Sequence, residues 1–345
     1  MTSNTIAELD VPLLGRYLES HVAGFHGLQS ATKFSGGQSN PTFLLQADSG
    51  SYVLRRQPPG QLLRSAHAVD REFRVLQTLA PTEVPVARVW HLCEDPGVIG
   101  SMFYLMSYEQ GDIFWDPALP DVPPAERAGY YREMIRILAA IHSVDVSRVG
   151  LADFGRPGNY FQRQLERWQQ QYRAAETGNK PAMEQLMQWL QAHCPEDDGT
   201  VALVHGDFRL DNVIFHHGEA RGQAVLDWEL STLGHPLADL AYFCMCLRLP
   251  PSQHGAGLGG LDRQGLGIPA ESEIVAHYCK LRGIDTIEHW HFYLAFSFFR
   301  LASIVQGVYK RALAGNASNK NALEIGRLVD VLADMALGVI AQQEN

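Results

Sequence analysis

In a region otherwise patterned as helix, three brief apolar runs stand close together: Val201-Ala202-Leu203-Val204, Val213-Ile214-Phe215 and Ala224-Val225-Leu226, with polar loops between them. Runs of this length read as short strands, and a chain that sets them among long helices belongs to the α+β class. The first loop, His205-Gly206-Asp207-Phe208-Arg209-Leu210-Asp211-Asn212, places an acid and an amide five positions apart. A carboxylate there can accept the proton of an attacking hydroxyl, and an amide oxygen farther along can reach a magnesium ion bound to phosphates. Asp227-Trp228-Glu229 closes the third run, where a second carboxylate can bind the same ion between phosphate oxygens.

The patterning differs on either side of this island. Before it, Phe43-Leu44-Leu45, Tyr52-Val53-Leu54 and Phe103-Tyr104-Leu105-Met106 read as strands in a lobe with one strong helix. Asp70 is placed to cap that helix, and Phe73, Leu76 and Leu79 fall at helical spacing before Pro81. After Gly111 helices dominate, beginning with the stripe Tyr130, Met134, Ile137, Leu138 and Ile141. Phe292 to Tyr309 is strongly apolar but contains Arg300 and Gln306. A membrane span wants about 20 nearly unbroken apolar residues, so a buried core helix is expected. The Gly-rich stretch Pro250 to Pro269 reads as a mobile surface connection, with a lid over a substrate as the alternative.

Composition narrows the function classes. With 345 residues, 46% of them hydrophobic, the chain can bury a full core, as one or two domains at roughly 150 residues each. A net charge of −10 argues against a surface built to neutralise a nucleic-acid backbone. The five cysteines lack C-x-x-C spacing, which fits a reducing cytoplasm better than a disulfide framework. Met1 to Pro12 has the wrong order of features for a secretory signal.

Near the N-terminus, Phe34-Ser35-Gly36-Gly37-Gln38-Ser39-Asn40 precedes a strand and offers two glycines where a backbone could close over phosphates. An ordinary turn is the other reading. The pattern H-G-D-x-x-x-x-N with a strand-ending Asp resembles the catalytic segments of the aminoglycoside phosphotransferase family, relatives of the protein kinases. Tyr52-Val53-Leu54-Arg55-Arg56, Ser65-Ala66-His67-Ala68-Val69-Asp70-Arg71-Glu72 and Leu226-Asp227-Trp228-Glu229 are most similar to the kinase-like domains related to those fused to acyl-CoA dehydrogenases. The likeness runs from about Phe34 to Phe243, and more loosely to the end of the chain.

That resemblance implies a bilobal protein-kinase-like α+β fold. A small antiparallel-sheet lobe, residues 1–109, would bind nucleotide. A larger helical lobe, residues 110–345, would carry catalysis and the acceptor, with the site in the cleft. Asp207 becomes the catalytic base, Asn212 and Asp227 the magnesium ligands, and His205 a structural support. The loop Ser35, Gly36, Gly37, Gln38, Ser39 and Asn40 would cover phosphates. Ser107 and Tyr108 would offer hinge backbone groups to adenine. Asp239, in Gly234-His235-Pro236-Leu237-Ala238-Asp239-Leu240-Ala241, would anchor the catalytic loop or cap a helix. Arg55 on a strand and Glu72 on the next helix stand where a kinase pairs its phosphate-holding lysine with a carboxylate. A guanidinium is a planar fork, so this is a departure from the pattern. Strand alternation puts Arg55 on the face of Val53, with Arg56 as the alternative.

The expected activity is transfer of the γ-phosphoryl group of ATP, with GTP left open, to a hydroxyl of a small molecule in the presence of Mg2+. The dehydrogenase-linked likeness suggests a hydroxyacyl-CoA-type metabolite as acceptor, and the family name an aminoglycoside antibiotic. The partners are then the acceptor and a nucleoside triphosphate, with neither nucleic acid nor membrane; a homodimer is left open. Two other classes compete. A catalytically silent nucleotide-binding scaffold would not need Asp207, Asn212 and Asp227 together. A metal-dependent hydrolase could use His205, Asp207, His216, His217, Asp227 and His235 as ligands, but His216-His217 lies in a turn beside Gly218 with no helical partner.

Overall fold

The computed structural model describes residues 9–34, 40–58, 68–251, 257–315 and 322–342. In chain order the elements are α1 (Val11–His21), β1 (Leu28–Lys33), β2 (Thr42–Ala47), β3 (Gly50–Arg56), α2 (Val69–Leu79), β4 (Val89–Cys93), β5 (Phe103–Ser107), α3 (Pro124–His142), α4 (Tyr160–Ala175), α5 (Pro181–Ala192), β6 (Ala202–Val204), β7 (Val213–Phe215), β8 (Gly222–Val225), β9 (Thr232–Gly234), α6 (Leu237–Arg248), α7 (Glu271–Arg282), α8 (Trp290–Leu313), α9 (Ala322–Ile325) and α10 (Leu328–Ala341). They gather into two compact units. The first holds the chain through Ile113 with Ser147–Leu151 and Asp211–Ser231; the second holds Phe114–Val146, Ala152–Leu210 and Thr232 onward.

The first unit is built on an antiparallel sheet of order β1-β2-β3-β5-β4. Strand alternation sends Phe43, Leu45, Tyr52, Leu54, Phe103 and Leu105 to one face, where they bury against Leu14 and Leu18 of α1. This helix is absent from the sequence expectation, although Asp10 accepts the Leu13 N–H at 2.9 Å and Pro12 stands in its first turn, an ordinary start signal. β1 and β4 are also additions to the expected strands. They are the sheet edges, and their burial patterns carry little apolar alternation to read. Asp70 lies in the first turn of α2 and does not cap it; the N-cap position is Ala68, with no side-chain bond. There its charge suits the positive end of the helix dipole.

The β7–β8 hairpin belongs to this first unit, whereas the sequence reading assigned everything after residue 109 to the helical lobe. Asp112 and Phe215 exchange backbone hydrogen bonds of 2.8 and 2.9 Å, and Val225 N–H donates to Pro85 at 2.9 Å. A Cβ on Gly111 would stand 2.1 Å from the Phe215 carbonyl oxygen, so only glycine admits this approach.

Among the described residues, the regular elements of the second unit are helical apart from the short pair β6–β9. Tyr130, Met134, Ile137, Leu138 and Ile141 are buried along α3 as their spacing indicates. The 24-residue α8 is long and apolar enough to cross a membrane, but 67% of its most apolar window is buried inside the protein. Its polar interruptions are used internally: Gln306 donates to Ala175 O at 2.9 Å and Arg300 to Gly206 O at 2.7 Å. The Gly-rich stretch from residue 257 onward is tied down, which corrects its reading as a mobile surface connection. Leu258 N–H bonds Leu247 O at 2.9 Å, Arg127 donates to Leu266 O at 3.1 Å, and Leu258 and Ile268 are buried. Residues 252–256 of that stretch lie outside the described residues.

Candidate active site

The candidate residues of the first unit converge on Arg55. From β3, its Nε lies 2.9 Å from Glu72 Oε2 on α2, and its Nη2 lies 2.7 Å from Asp227 Oδ1 and 3.7 Å from Glu229 Oε2. Arg55 is thus the arginine that meets Glu72. Arg56, on the opposite strand face with Tyr52 and Leu54, is 2% exposed and donates to Ile99 O at 3.2 Å. Burial pulls the Arg56 pKa down. Burial also works against charge on Arg55, but Glu72, Tyr104 and Asp227 outweigh it and push its pKa up. Glu72 is fully enclosed; burial lifts its carboxyl to about 7, with Arg55 pulling down and Asp227 and Glu229 adding to the rise.

The hairpin brings Asn212 and Asp227 to the same end: Leu226 N–H donates to Asn212 O at 2.8 Å. Asp227 takes a left-handed backbone, φ 61° and ψ 57°, a conformation that costs most residues about 1–2 kcal/mol and is easiest for Asp and Asn outside glycine. Trp228 behind it is 1% exposed, its indole N–H bound to Val225 O at 3.0 Å. Asn212 and Asp227 present hard oxygen donors, the kind magnesium takes.

Of the nucleotide-loop residues only Asn40 is described, and it is buried; Ser35, Gly36, Gly37, Gln38 and Ser39 lie outside the described residues. At the hinge position the Ser107 N–H is already committed to Arg88 O at 2.8 Å. Its hydroxyl donates to Glu109, whose other oxygen accepts from Gln223 at 2.8 Å. Tyr108 directly follows β5.

In the second unit, β6 delivers the loop that carries Asp207. Asp239, 1% exposed on α6, accepts the backbone N–H of His205 at 2.6 Å and of Gly206 at 2.9 Å. It anchors the loop and does not cap α6, whose N-cap is Pro236. His142 stands 3.3 Å away through Nε2 and shares a 2.8 Å bond with Tyr278 through Nδ1. Burial alone would raise the Asp239 pKa, but His142, His205 and the Gly206 N–H hold it below the usual carboxylate value. His205 is wholly buried and its Nδ1 accepts the Asp207 N–H at 3.2 Å, as a structural support would. The Asp207 side chain accepts the Tyr242 hydroxyl at 2.7 Å and lies 3.4 Å from Arg209 Nε. Sequence reasoning missed Tyr242 and Arg300; the one available signal was an arginine inside an otherwise apolar helix.

The histidines and acids a hydrolase could use are engaged separately within each unit. His217 pairs with Asp112 at 2.7 Å in the first unit, His235 faces Asp198 at 3.5 Å in the second, and His205 holds the loop backbone. Among the described residues no group of three or more His, Cys, Asp or Glu is arranged to hold a metal.

Comparisons with known proteins identify the family and the fold. The chain is 49% identical over 325 residues to acyl-CoA dehydrogenase family member 10 of Mus musculus, covering 92% of this chain and 30% of that protein. It is 43% identical over 335 residues to acyl-CoA dehydrogenase family member 11 of Rattus norvegicus, covering 96% and 43%. It therefore spans less than half the length of these curated relatives. A crystal structure from Ralstonia eutropha, a candidate aminoglycoside phosphotransferase, superposes with a TM-score of 0.89 at 46% identity, covering 97% of this chain and 99% of that one. A thermostable mutant of aminoglycoside phosphotransferase APH(4)-Ia with AMP-PNP and hygromycin B shares the fold at a TM-score of 0.62 and 16% identity, covering 95% and 99%. Residues 30–271 match the family described as the phosphotransferase enzyme family, and with the kinase-like α+β architecture and the H-G-D-x-x-x-x-N loop in place, the chain belongs to that family.

Proposed function

We propose that the protein transfers the γ-phosphoryl group of ATP to a hydroxyl of a small, negatively charged metabolite of the hydroxyacyl-CoA type. The observation that carries this reading is the Arg55 cluster: one guanidinium holds Glu72 at 2.9 Å and Asp227 at 2.7 Å in the unit that also presents Asn212. Such an arrangement supports phosphate placement by Arg55, with Glu72 fixing the guanidinium from α2. Asn212 and Asp227 are the residues that would hold Mg2+, which when bound neutralises charge on the transferring phosphates. Asp207 orients the acceptor hydroxyl and takes its proton, and Asp239 holds the Asp207 loop by its backbone. Most of the rate enhancement then comes from placement and charge neutralisation.

Two observations favour a metabolite over an antibiotic acceptor. The curated relatives at 42–49% identity are named for acyl-CoA dehydrogenases; a 46%-identical structure carries an aminoglycoside phosphotransferase name, but the structures with a bound antibiotic stand at 14–17%. In addition, Asp207 has Arg209 beside it and Arg300 on the adjoining Gly206 carbonyl, cations that would repel a polycationic aminoglycoside.

An ATP-consumption screen over hydroxyacyl-CoAs, amino sugars, choline-like alcohols and sugars tests the acceptor, with Asp207→Asn as control. Loss of a general base lowers turnover by about 10²- to 10⁴-fold, with nucleotide affinity retained. Calorimetry of ATP with and without Mg2+ tests the metal sites: Asp227→Ala removes the magnesium-dependent part. Equal binding in both conditions by the parent protein would support a silent scaffold instead.

A further inference from the structure

The helix α6 that anchors the catalytic loop also reaches the candidate base itself. Asp239 and Tyr242 are three positions apart on it, so they share one helix face. Asp239 takes the backbone N–H groups of His205 and Gly206, and Tyr242 donates its hydroxyl to Asp207 Oδ1 at 2.7 Å. The tyrosine ring is held in turn. Residue 242 is 8% exposed, and the Arg300 guanidinium lies 5.2 Å from its ring centroid while donating to Gly206 O at 2.7 Å.

We propose that Tyr242 is a positioning residue for phosphoryl transfer, fixing the rotamer of the Asp207 carboxylate through the hydroxyl hydrogen bond. The proposal rests on the reading of Asp207 as base and extends it to a residue of α6. With one oxygen held by the tyrosine hydroxyl and the backbone of its loop held by Asp239, the Asp207 carboxylate stays aimed, and orientation is what a positioned base contributes. Tyr242 is suited to the task because burial keeps its hydroxyl protonated far above the ordinary tyrosine range, with Cys246 and Asp207 adding to the rise against Arg209 and Arg300. The charged groups facing this hydrogen bond are therefore Arg209 on the loop and Arg300 on α8, and neither changes state near neutral pH.

The test reads Asp207 directly. The 13C NMR resonance of its side-chain carboxyl, assigned by its disappearance in Asp207→Asn, is compared at one neutral pH between the parent and Tyr242→Phe, a change that keeps the ring. In Tyr242→Phe that resonance moves, because the carboxylate has lost its hydroxyl donor. Magnesium-ATP turnover with the best acceptor from the screen, or with water as the accepting hydroxyl, drops on the order of tenfold in kcat, while the KM for ATP holds. In an Asp207→Asn background the same Tyr242→Phe change alters turnover by less than about twofold. An unmoved Asp207 carboxyl resonance overturns the proposal, as does a full second loss of turnover in the Asp207→Asn background. Failure of the base reading looks different: Asp207→Asn then turns over at the parental rate while the movement of the carboxyl resonance in Tyr242→Phe remains.

Discussion

Replacing Asp239 by asparagine exchanges a carboxylate that accepts two backbone N–H groups, at 2.6 and 2.9 Å, for an amide with a single accepting oxygen. One of the two N–H groups then faces an NH2 group inside a residue only 1% exposed. Hydrogen bonds to charged groups contribute about 1.5–3 kcal/mol each, and a buried donor left without a partner costs about 1–3 kcal/mol. The local opening free energy of the His205-Gly206 turn should fall by about 2–3 kcal/mol. That corresponds to amide exchange faster by about 30- to 150-fold at those two positions. Asp239→Ala, which abandons both donors, should cost about 3–6 kcal/mol and accelerate exchange further. The assay is hydrogen exchange followed by mass spectrometry on the peptide spanning β6 and the loop, with amides of α2 as the internal reference. Phosphoryl transfer should fall with loop order, because Asp207 sits one residue beyond the anchored pair. Exchange in Asp239→Asn equal to the parent's would refute the claim that this carboxylate holds the loop.

Arg55→Lys keeps the charge but places one ammonium where two nitrogens now engage two carboxylates, so magnesium-ATP affinity measured by calorimetry should fall severalfold and Arg55→Ala should lose far more. Arg56→Ala should leave that affinity alone and lower the melting temperature, since it removes a 2% exposed side chain from the α1 face of the sheet. The buried, depressed His142 must become charged in acid, where the unfolded imidazole takes up its proton near the ordinary value of 6.5. Its contribution to stability is therefore present above that value and is lost as pH falls, by up to about 1 kcal/mol between pH 6.5 and 5.5. Glu72, with its raised pKa, runs in the opposite sense over this range, so the comparison is parent against His142→Gln by chemical denaturation at both pH values. The variant should show the smaller acid loss, and identical pH dependence would contradict the assignment. Gly267→Ala should destabilise by about 2–4 kcal/mol, combining a φ of +72° with a Cβ 2.0 Å from Pro124 O. Gly260→Ala, at φ +79° in open space, should cost only the backbone part, about 1 kcal/mol.

Much of the candidate site was legible in the sequence because the chemistry it offers is carried by short local patterns. The brief apolar runs around Asp207, Asn212 and Asp227 identify strands and loops within a few residues of each other, and their local order alone suffices to pair an acid with an amide. Alternation along β3 is equally local, which is why Arg55, sharing a face with Val53, could be preferred to Arg56 and is found against Glu72. Where local signals were weak the reading ran short: the edge strands β1 and β4 lack a strong apolar alternation, and β9 is only three residues long.

Tertiary structure alone decided what surrounds the reactive groups. Tyr242 reaches Asp207 across 35 positions, Asp239 reaches Gly206 across 33, and Arg300 reaches the same Gly206 across 94. No periodicity links such residues, because each contact depends on how helices pack and on which side-chain rotamers the core allows. The same holds for the hairpin of Asn212 and Asp227, which joins the first unit through backbone bonds to Asp112 and Pro85. Backbone hydrogen bonds between distant segments leave no trace in side-chain identity. Gly111 is the exception, since its bare Cα is what that approach requires. The sequence thus determined which groups the candidate site contains, and packing decided their neighbours and hence the environment of each, as burial lifting the Glu72 carboxyl to about 7 illustrates.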